Sequence, residues 1–171
     1  LPRWEQQETA EMVDGGQVKR LVFRDADTGL EVTVRVCQWA NSAAQEWVIE
    51  FANQGTGDTP LLEDILPLDA RWALPAPARA TLRHAKGSLC EPDDFLPYTN
   101  DIRPGQRMSL VPVGGRSSNG TLPFMNLQLP DGGLVLAIGW SGQWAAQFQR
   151  DQEALRVAAG MERTHLRLHP G

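Results

Sequence analysis

The chain has 171 residues, 42% hydrophobic and 22% charged, the composition of an ordinary globular domain. Folding at this size buries about 70% of the unfolded surface, so a core forms without disulfides or metal, but a (β/α)8 barrel of roughly 250 residues is excluded. Sixteen basic against twenty-one acidic residues leave a net charge of −5, which speaks against a nucleic-acid partner.

The opening residues, Leu1-Pro2-Arg3-Trp4, have neither the basic n-region nor the apolar h-region of a signal peptide. A cytoplasmic location is therefore favoured, although the missing initiator Met is consistent with a trimmed start. No apolar run approaches the length of about 18 residues that a membrane helix needs, so no membrane partner is expected.

The dominant hydrophobic period is two. Leu21-Val22-Phe23 precedes the turn-forming Asp25-Ala26-Asp27-Thr28-Gly29. Leu30, Val32, Val34 and Val36 then alternate with Glu31, Thr33, Arg35 and Cys37, which predicts a hairpin with a half-buried second strand. Trp47, Ile49 and Phe51 repeat the alternation until Asn53-Gln54-Gly55-Thr56-Gly57-Asp58 ends it. Further strands are expected over 80–84 and 108–113. The nearly continuous Leu134-Val135-Leu136-Ala137-Ile138 reads as a central strand buried on both faces. From Gln143 to Ala159 helix formers abound, yet Trp144, Ala146 and Phe148 alternate, as do Leu155, Val157, Ala159 and Met161. A strand–turn–strand is predicted there, with a helix as the competing reading. Sixteen Gly and twelve Pro punctuate these pieces, and no linker or repeat divides them. One all-β sandwich domain over 1–171 follows.

Most motifs fail a test for chemistry. Gly139-Trp140-Ser141-Gly142-Gln143 lacks the last glycine of a nucleophile elbow, so it reads as a tight turn. Gly55-Thr56-Gly57-Asp58-Thr59-Pro60 has Pro where a phosphate loop needs its third Gly. His165 and His169 would pair on a helix, but on a strand they start roughly 13 Å apart, too far for one metal. His84 reads as a strand residue, and neither a metal nor a cofactor is expected. Cys37 and Cys90, without C-x-x-C spacing, read as two buried free thiols, with one disulfide as the alternative. Asn119-Gly120-Thr121 fits a glycosylation sequon, which matters only in a secretory setting. The six Trp (Trp4, Trp39, Trp47, Trp72, Trp140 and Trp144) are mostly core fillers, with one or two free to stack on a sugar ring. The polar stretch Gly114-Gly115-Arg116-Ser117-Ser118-Asn119-Gly120 has two readings: a polar site organised around a guanidinium, or a loop tip that satisfies its own backbone.

Several segments in order carry a resemblance. They are Gly87-Ser88-Leu89-Cys90-Glu91-Pro92-Asp93-Asp94-Phe95, Gly114-Gly115-Arg116-Ser117-Ser118-Asn119, Leu122-Pro123-Phe124, Gly139-Trp140-Ser141-Gly142-Gln143-Trp144 and the closing run 159–171. From about Trp47 onward the series resembles the N-terminal β-sandwich domain of the melibiase-type α-galactosidases, large bacterial glycoside hydrolases. The resemblance implies a galactose-mutarotase-like antiparallel supersandwich with little helix. In that family it precedes a (β/α)8 barrel bearing an Asp nucleophile and an Asp acid/base, a retaining pair about 5 Å apart. The chain would then be a piece of a longer enzyme, with the barrel of the same polypeptide and an α-galactoside or related sugar as partners, and a role in building a homo-oligomer.

Two departures point to a divergent branch. Asn119 stands where the family has a His, and 140–144 replaces a Tyr-Ser-Gly-Asn-Phe stretch. Within the chain, Asp93 and Asp94 are adjacent, as are Glu63 and Asp64, so neither pair can flank one anomeric carbon from an extended segment. No catalytic residue is expected here. By resemblance, Asp93, Asp94 and Arg116 are candidates for sugar-hydroxyl contacts and Trp140 or Trp144 for stacking; the alternative is that these loops only cement the sandwich to the barrel. The competing functions are a free-standing carbohydrate-binding sandwich and, more weakly, a mutarotase-like enzyme using His84 or His165.

Overall fold

The computed structural model describes residues 3–171, which form twelve strands and no helix, so none is available to cross a membrane. The strands are β1 (Glu5–Val13), β2 (Gly16–Arg24), β3 (Leu30–Trp39), β4 (Gln45–Asn53), β5 (Leu68–Ala73), β6 (Ala80–Ala85), β7 (Pro97–Ile102), β8 (Arg107–Leu110), β9 (Phe124–Leu129), β10 (Gly132–Ala137), β11 (Trp144–Arg150) and β12 (Ala154–Met161). All pair antiparallel, in three sheets ordered β1-β2-β3-β4, β10-β9-β6-β7 and β5-β12-β11-β8. Where one undivided domain is expected, the chain divides into two compact units. One comprises residues up to Glu63 together with His165–Gly171, the other Asp64–Thr164.

The first unit is a meander of nine- and ten-residue strands. Its predicted hairpin closes as β2–β3, where the Asp25 carboxylate accepts the Thr28 hydroxyl and the Asp25 N–H donates to the Leu30 carbonyl. Residues directly opposite in antiparallel strands share a face. The register therefore lines up Phe23–Val32–Phe51, Leu21–Val34–Ile49 and Val36–Trp47 on one side. The other side carries Arg24–Glu31, joined by an ion pair at 2.5 Å, and Arg20 near Glu50. Seven of these eight apolar residues are partly buried and Trp47 is exposed, so this sheet has one charged face and one apolar face that is only partly covered. The closing segment is held within the same unit. Asn53 Nδ2 donates to the Leu168 carbonyl, Leu168 N–H donates to Thr59 Oγ1, and Leu62 pairs with Leu166.

The second unit is a two-sheet sandwich whose core is shared by both sheets. Leu82, Met125 and Leu127 come from one; Leu110, Trp144, Phe148, Leu155 and Val157 come from the other. Alternation decides this, since Met125 and Leu127 are buried while Phe124, Asn126 and Gln128 face outward. The segment 143–159 is the β11–β12 hairpin, turned by Asp151, whose carboxylate accepts the Glu153 and Ala154 N–H groups. Inward packing of Phe148, Leu155 and Val157 overrides the helix propensity of its Ala, Gln and Glu residues.

Two expectations need correction. The apolar run from Leu134 lies in β10, which is an edge strand, and Val135 is 72% exposed. Both cysteines are free as expected, but neither is buried: Cys90 is exposed and Cys37 partly so. Apolar content identified these residues; strand order and loop position decided their exposure.

Candidate functional site

Three loops of the second unit carry the predicted site residues, and hydrogen bonds tie them into one cluster. The loop over 86–96 leaves β6 at Lys86, whose N–H donates to the Leu96 carbonyl. Its Nζ donates to Glu91 Oε2 at 2.6 Å and Asp93 Oδ1 at 2.5 Å. Those two carboxylates hold the ammonium charged well above the ordinary lysine range, chiefly through Asp93. Asp94 gathers the loop from inside. Its Oδ2 accepts the Ser88 hydroxyl at 2.6 Å and the N–H groups of Cys90 and Glu91, and its Oδ1 accepts the Leu89 N–H at 2.9 Å. These donors, Ser88 first, hold the Asp94 carboxyl below its usual range.

The loop over 113–121 crosses the first at Gly87, where any Cβ would collide with the Ser118 carbonyl, and the Ser88 N–H donates to that same carbonyl. Consecutive Gly114 and Gly115 both lie at positive φ, 68° and 75°, a turn that residues with side chains resist. The side chain of Gln143 then grips the loop. Its Nε2 donates to the Pro112 carbonyl at 2.6 Å, and its Oε1 accepts the Gly115 N–H at 2.9 Å. Trp144 adds a bond from its indole N–H to the Ser117 carbonyl at 2.8 Å.

The predicted residues separate by what is left free. Asp93 is committed to Lys86 and Asp94 to its own loop. Arg116 is exposed, and its guanidinium makes no hydrogen bond or ion pair among the described residues. Trp140 is 49% exposed on the turn before β11, where Gly142 leaves room for its ring: a Cβ there would lie 2.9 Å from the indole nitrogen. Trp144 is the correction. It is 0% exposed, and its ring is closed to a sugar because the core and the Ser117 carbonyl claim both its apolar body and its N–H.

Sequence reasoning missed Lys86 and Gln143, which hold the cluster together. A signal existed for Lys86, one of only two lysines among sixteen basic residues. Gln143 offered none.

Elsewhere the candidates resolve into pairs. His165 bonds Glu63 and His169 bonds Asp58, at 2.9 and 2.8 Å, and His84 bonds Asn100 while its ring lies 5.2 Å from that of Tyr98. Among the described residues no group of three His, Cys, Asp or Glu side chains is placed to hold a metal. The first unit carries a cleft of about 740 Å³ lined by Arg24, Asp25, Thr28, Gly55, Asp58 and Arg167. Several of its polar groups are already bonded: Arg24 to Glu31, Asp25 to Thr28 and Asp58 to His169.

No protein-family model and no curated protein matches the chain. Solved structures do. The GH36 α-galactosidase AgaA from Geobacillus stearothermophilus superposes with a TM-score of 0.73 at 20% identity, over 96% of this chain and 23% of its own. The α-galactosidase from Lactobacillus brevis gives 0.73 at 18% identity, over 98% and 24%. The galactosidase domain of the α-galactosidase-sucrose kinase AgaSK gives 0.68 at 15% identity, over 98% and 25%. The chain has the all-β fold of a segment found in GH36 α-galactosidases, as the sequence resemblance implies. It spans about a quarter of the length of those enzymes.

Proposed function

We propose that this chain is the accessory N-terminal domain of a retaining, α-galactosidase-like glycoside hydrolase. It packs against a (β/α)8 catalytic barrel of the same polypeptide and takes part in its oligomer. The observation that carries this reading is the fold likeness over nearly the whole chain to a quarter of each α-galactosidase. The chemistry agrees: Asp93 and Asp94 are engaged by Lys86 and by loop backbone, which leaves acid/base and nucleophile to carboxylates outside these residues. The partly covered apolar face of β2, β3 and β4 supplies a surface that a larger partner would cover further.

In this reading the loop cluster forms a wall beside the sugar. Arg116 donates to sugar hydroxyls and Trp140 offers its ring, while Asp93, bonded to Lys86 through Oδ1, turns its other oxygen to the sugar and Asp94, both oxygens engaged, shapes the loop. The substrate is an α-galactoside such as raffinose, with which a variant of AgaA has been crystallised. A second reading, a free-standing carbohydrate-binding sandwich, draws on the exposed Trp140 indole.

Reading the coding sequence past the Gly171 codon separates the two. An open frame of roughly 250 further residues with barrel periodicity and strand-end Asp residues supports the hydrolase. A stop codon at that point overturns it and leaves the binding module.

A further inference from the structure

We infer that the outer face of the β10-β9-β6-β7 sheet is a binding site for a neutral oligosaccharide. The register sets out two rows on that face: Val135–Asn126–Arg83 and Gly133–Gln128–Thr81. Neighbours within a row lie about 4.8 Å apart and the rows roughly 7 Å apart, so one sugar ring would reach several side chains.

Glycines leave part of the face without side chains. Gly133 stands opposite Gln128, and a Cβ there would come 2.5 Å from the Leu127 carbonyl. Close backbone approach thus keeps this end of β10 bare. The result is a shallow groove of about 360 Å³ lined by Arg83, Asn126, Gln128, Gly132, Gly133 and Val135, within the size range of small-molecule sites.

The groups lining the groove suit hydroxyls. The Asn126 amide makes no side-chain hydrogen bond among the described residues, so it offers two donors and an acceptor. Arg83 Nη1 donates to Gln128 Oε1 at 2.7 Å, which orients both groups and leaves the Gln128 amide N–H groups and the other guanidinium N–H groups for a ligand. The charges are balanced, since Arg83 lies on the same face as Asp101, whose carboxylate already accepts the Thr81 hydroxyl at 2.9 Å. A face of neutral amides with one balanced guanidinium favours an uncharged polyol over an anion. Apolar surface for the C–H side of a pyranose flanks the amides: Val135 beside Asn126, and Phe124 two residues before it on β9, 58% exposed.

Raffinose is the first probe, a choice that rests on the proposed function; the site itself does not, and a stop codon after Gly171 would leave it standing. Isotope-labelled protein is titrated with raffinose, stachyose and cellotetraose and followed by NMR. Saturable shifts at millimolar sugar are expected in the side-chain amides of Asn126 and Gln128 and the Arg83 guanidinium, with at least one of the three sugars. Asn126→Ala and Arg83→Ala should each weaken binding about tenfold. Both side chains point away from the core, and an unchanged amide spectrum confirms the fold of each variant; Asn126→Ser serves should either fail to fold. No saturable shift with any of the three sugars overturns the inference, as does equal binding by parent and variants. Shifts confined to Trp140 and Arg116 also overturn it and place the sugar at the loop cluster instead.

Discussion

The indole N–H of Trp144 donates to the carbonyl oxygen of Ser117 at 2.8 Å, across 27 residues of sequence. A side chain of the type expected to stack on a sugar is thus a strut between β11 and the 113–121 loop. Trp144→Phe keeps the ring in the core but leaves that carbonyl unpaired. It should lower unfolding free energy by about 1–2 kcal/mol, while Trp144→Ala should cost about 3–5 kcal/mol through the cavity it opens. Urea unfolding of the two variants checks the order; a Phe variant as stable as the parent would remove the strut.

Asp94 makes the neighbouring loop acid-sensitive. Its folded pKa is depressed by the Ser88 hydroxyl and then by the Leu89 N–H. The unfolded value is about 3.9, so its contribution to stability is complete above that pH and fades as the pH falls through the lower folded value. Asp94→Asn should therefore be less stable than the parent at pH 7, with the gap closing below about pH 4. Denaturant titrations of both proteins across that range measure the gap, and a gap constant with pH would contradict the assignment.

Arg150 is 1% exposed on β11, and its guanidinium donates to the Leu74 and Ala78 carbonyls on the loop between β5 and β6. Arg150→Met fills much of the same space but strips both carbonyls of a donor. A loss of about 2–4 kcal/mol is expected, read by thermal or chemical unfolding. Because Arg156 on β12 is exposed and bonds Asp69 through two nitrogens at 2.7 Å each, Arg156→Met should cost no more than about 1 kcal/mol.

The apolar face of the first sheet predicts behaviour in solution. With Phe23, Val34, Ile49 and Phe51 on one side, each only partly buried, beside the exposed Trp47, the isolated chain should self-associate as its concentration rises. Val34→Lys places a charge at the centre of that face and should shift the population to monomer with the fold retained. Sedimentation velocity over a concentration series decides this. A parent that stays monomeric throughout would argue that the face needs no cover.

Much of this architecture can be read from the sequence because strands announce themselves by period. Alternating residues in β3, β4 and β11 mark which side chains share a face, and Asp25 to Gly29 marks the first hairpin. The same local rule misleads at Leu134–Ile138. A continuous apolar run looks the same in a central strand and in an edge strand, and only the pairing order leaves Val135 in solvent. For the candidate site, motif order picked out three loops that the structure ties together by hydrogen bonds, since Gly and Asp runs mark turns wherever they fall. It did not reveal that Asp93 is taken by Lys86, or that Gln143 reaches back 28 residues to hold Gly115.

The sequence by itself determined that the chain is all-β, that its loops gather polar and aromatic groups, and that its fold is one seen in α-galactosidases; these follow from side-chain period, turn chemistry and the order of short motifs. Tertiary structure alone decided which of those groups remain free. Arg116 does, with no hydrogen-bond or ion-pair partner for its guanidinium among the described residues, and about half of Trp140 stays exposed. Trp144 does not, because burial and its bond to Ser117 come from residues distant in the chain, of which period and propensity carry no record; Asp93 and Asp94 do not, because the path their loop takes folds it back onto them.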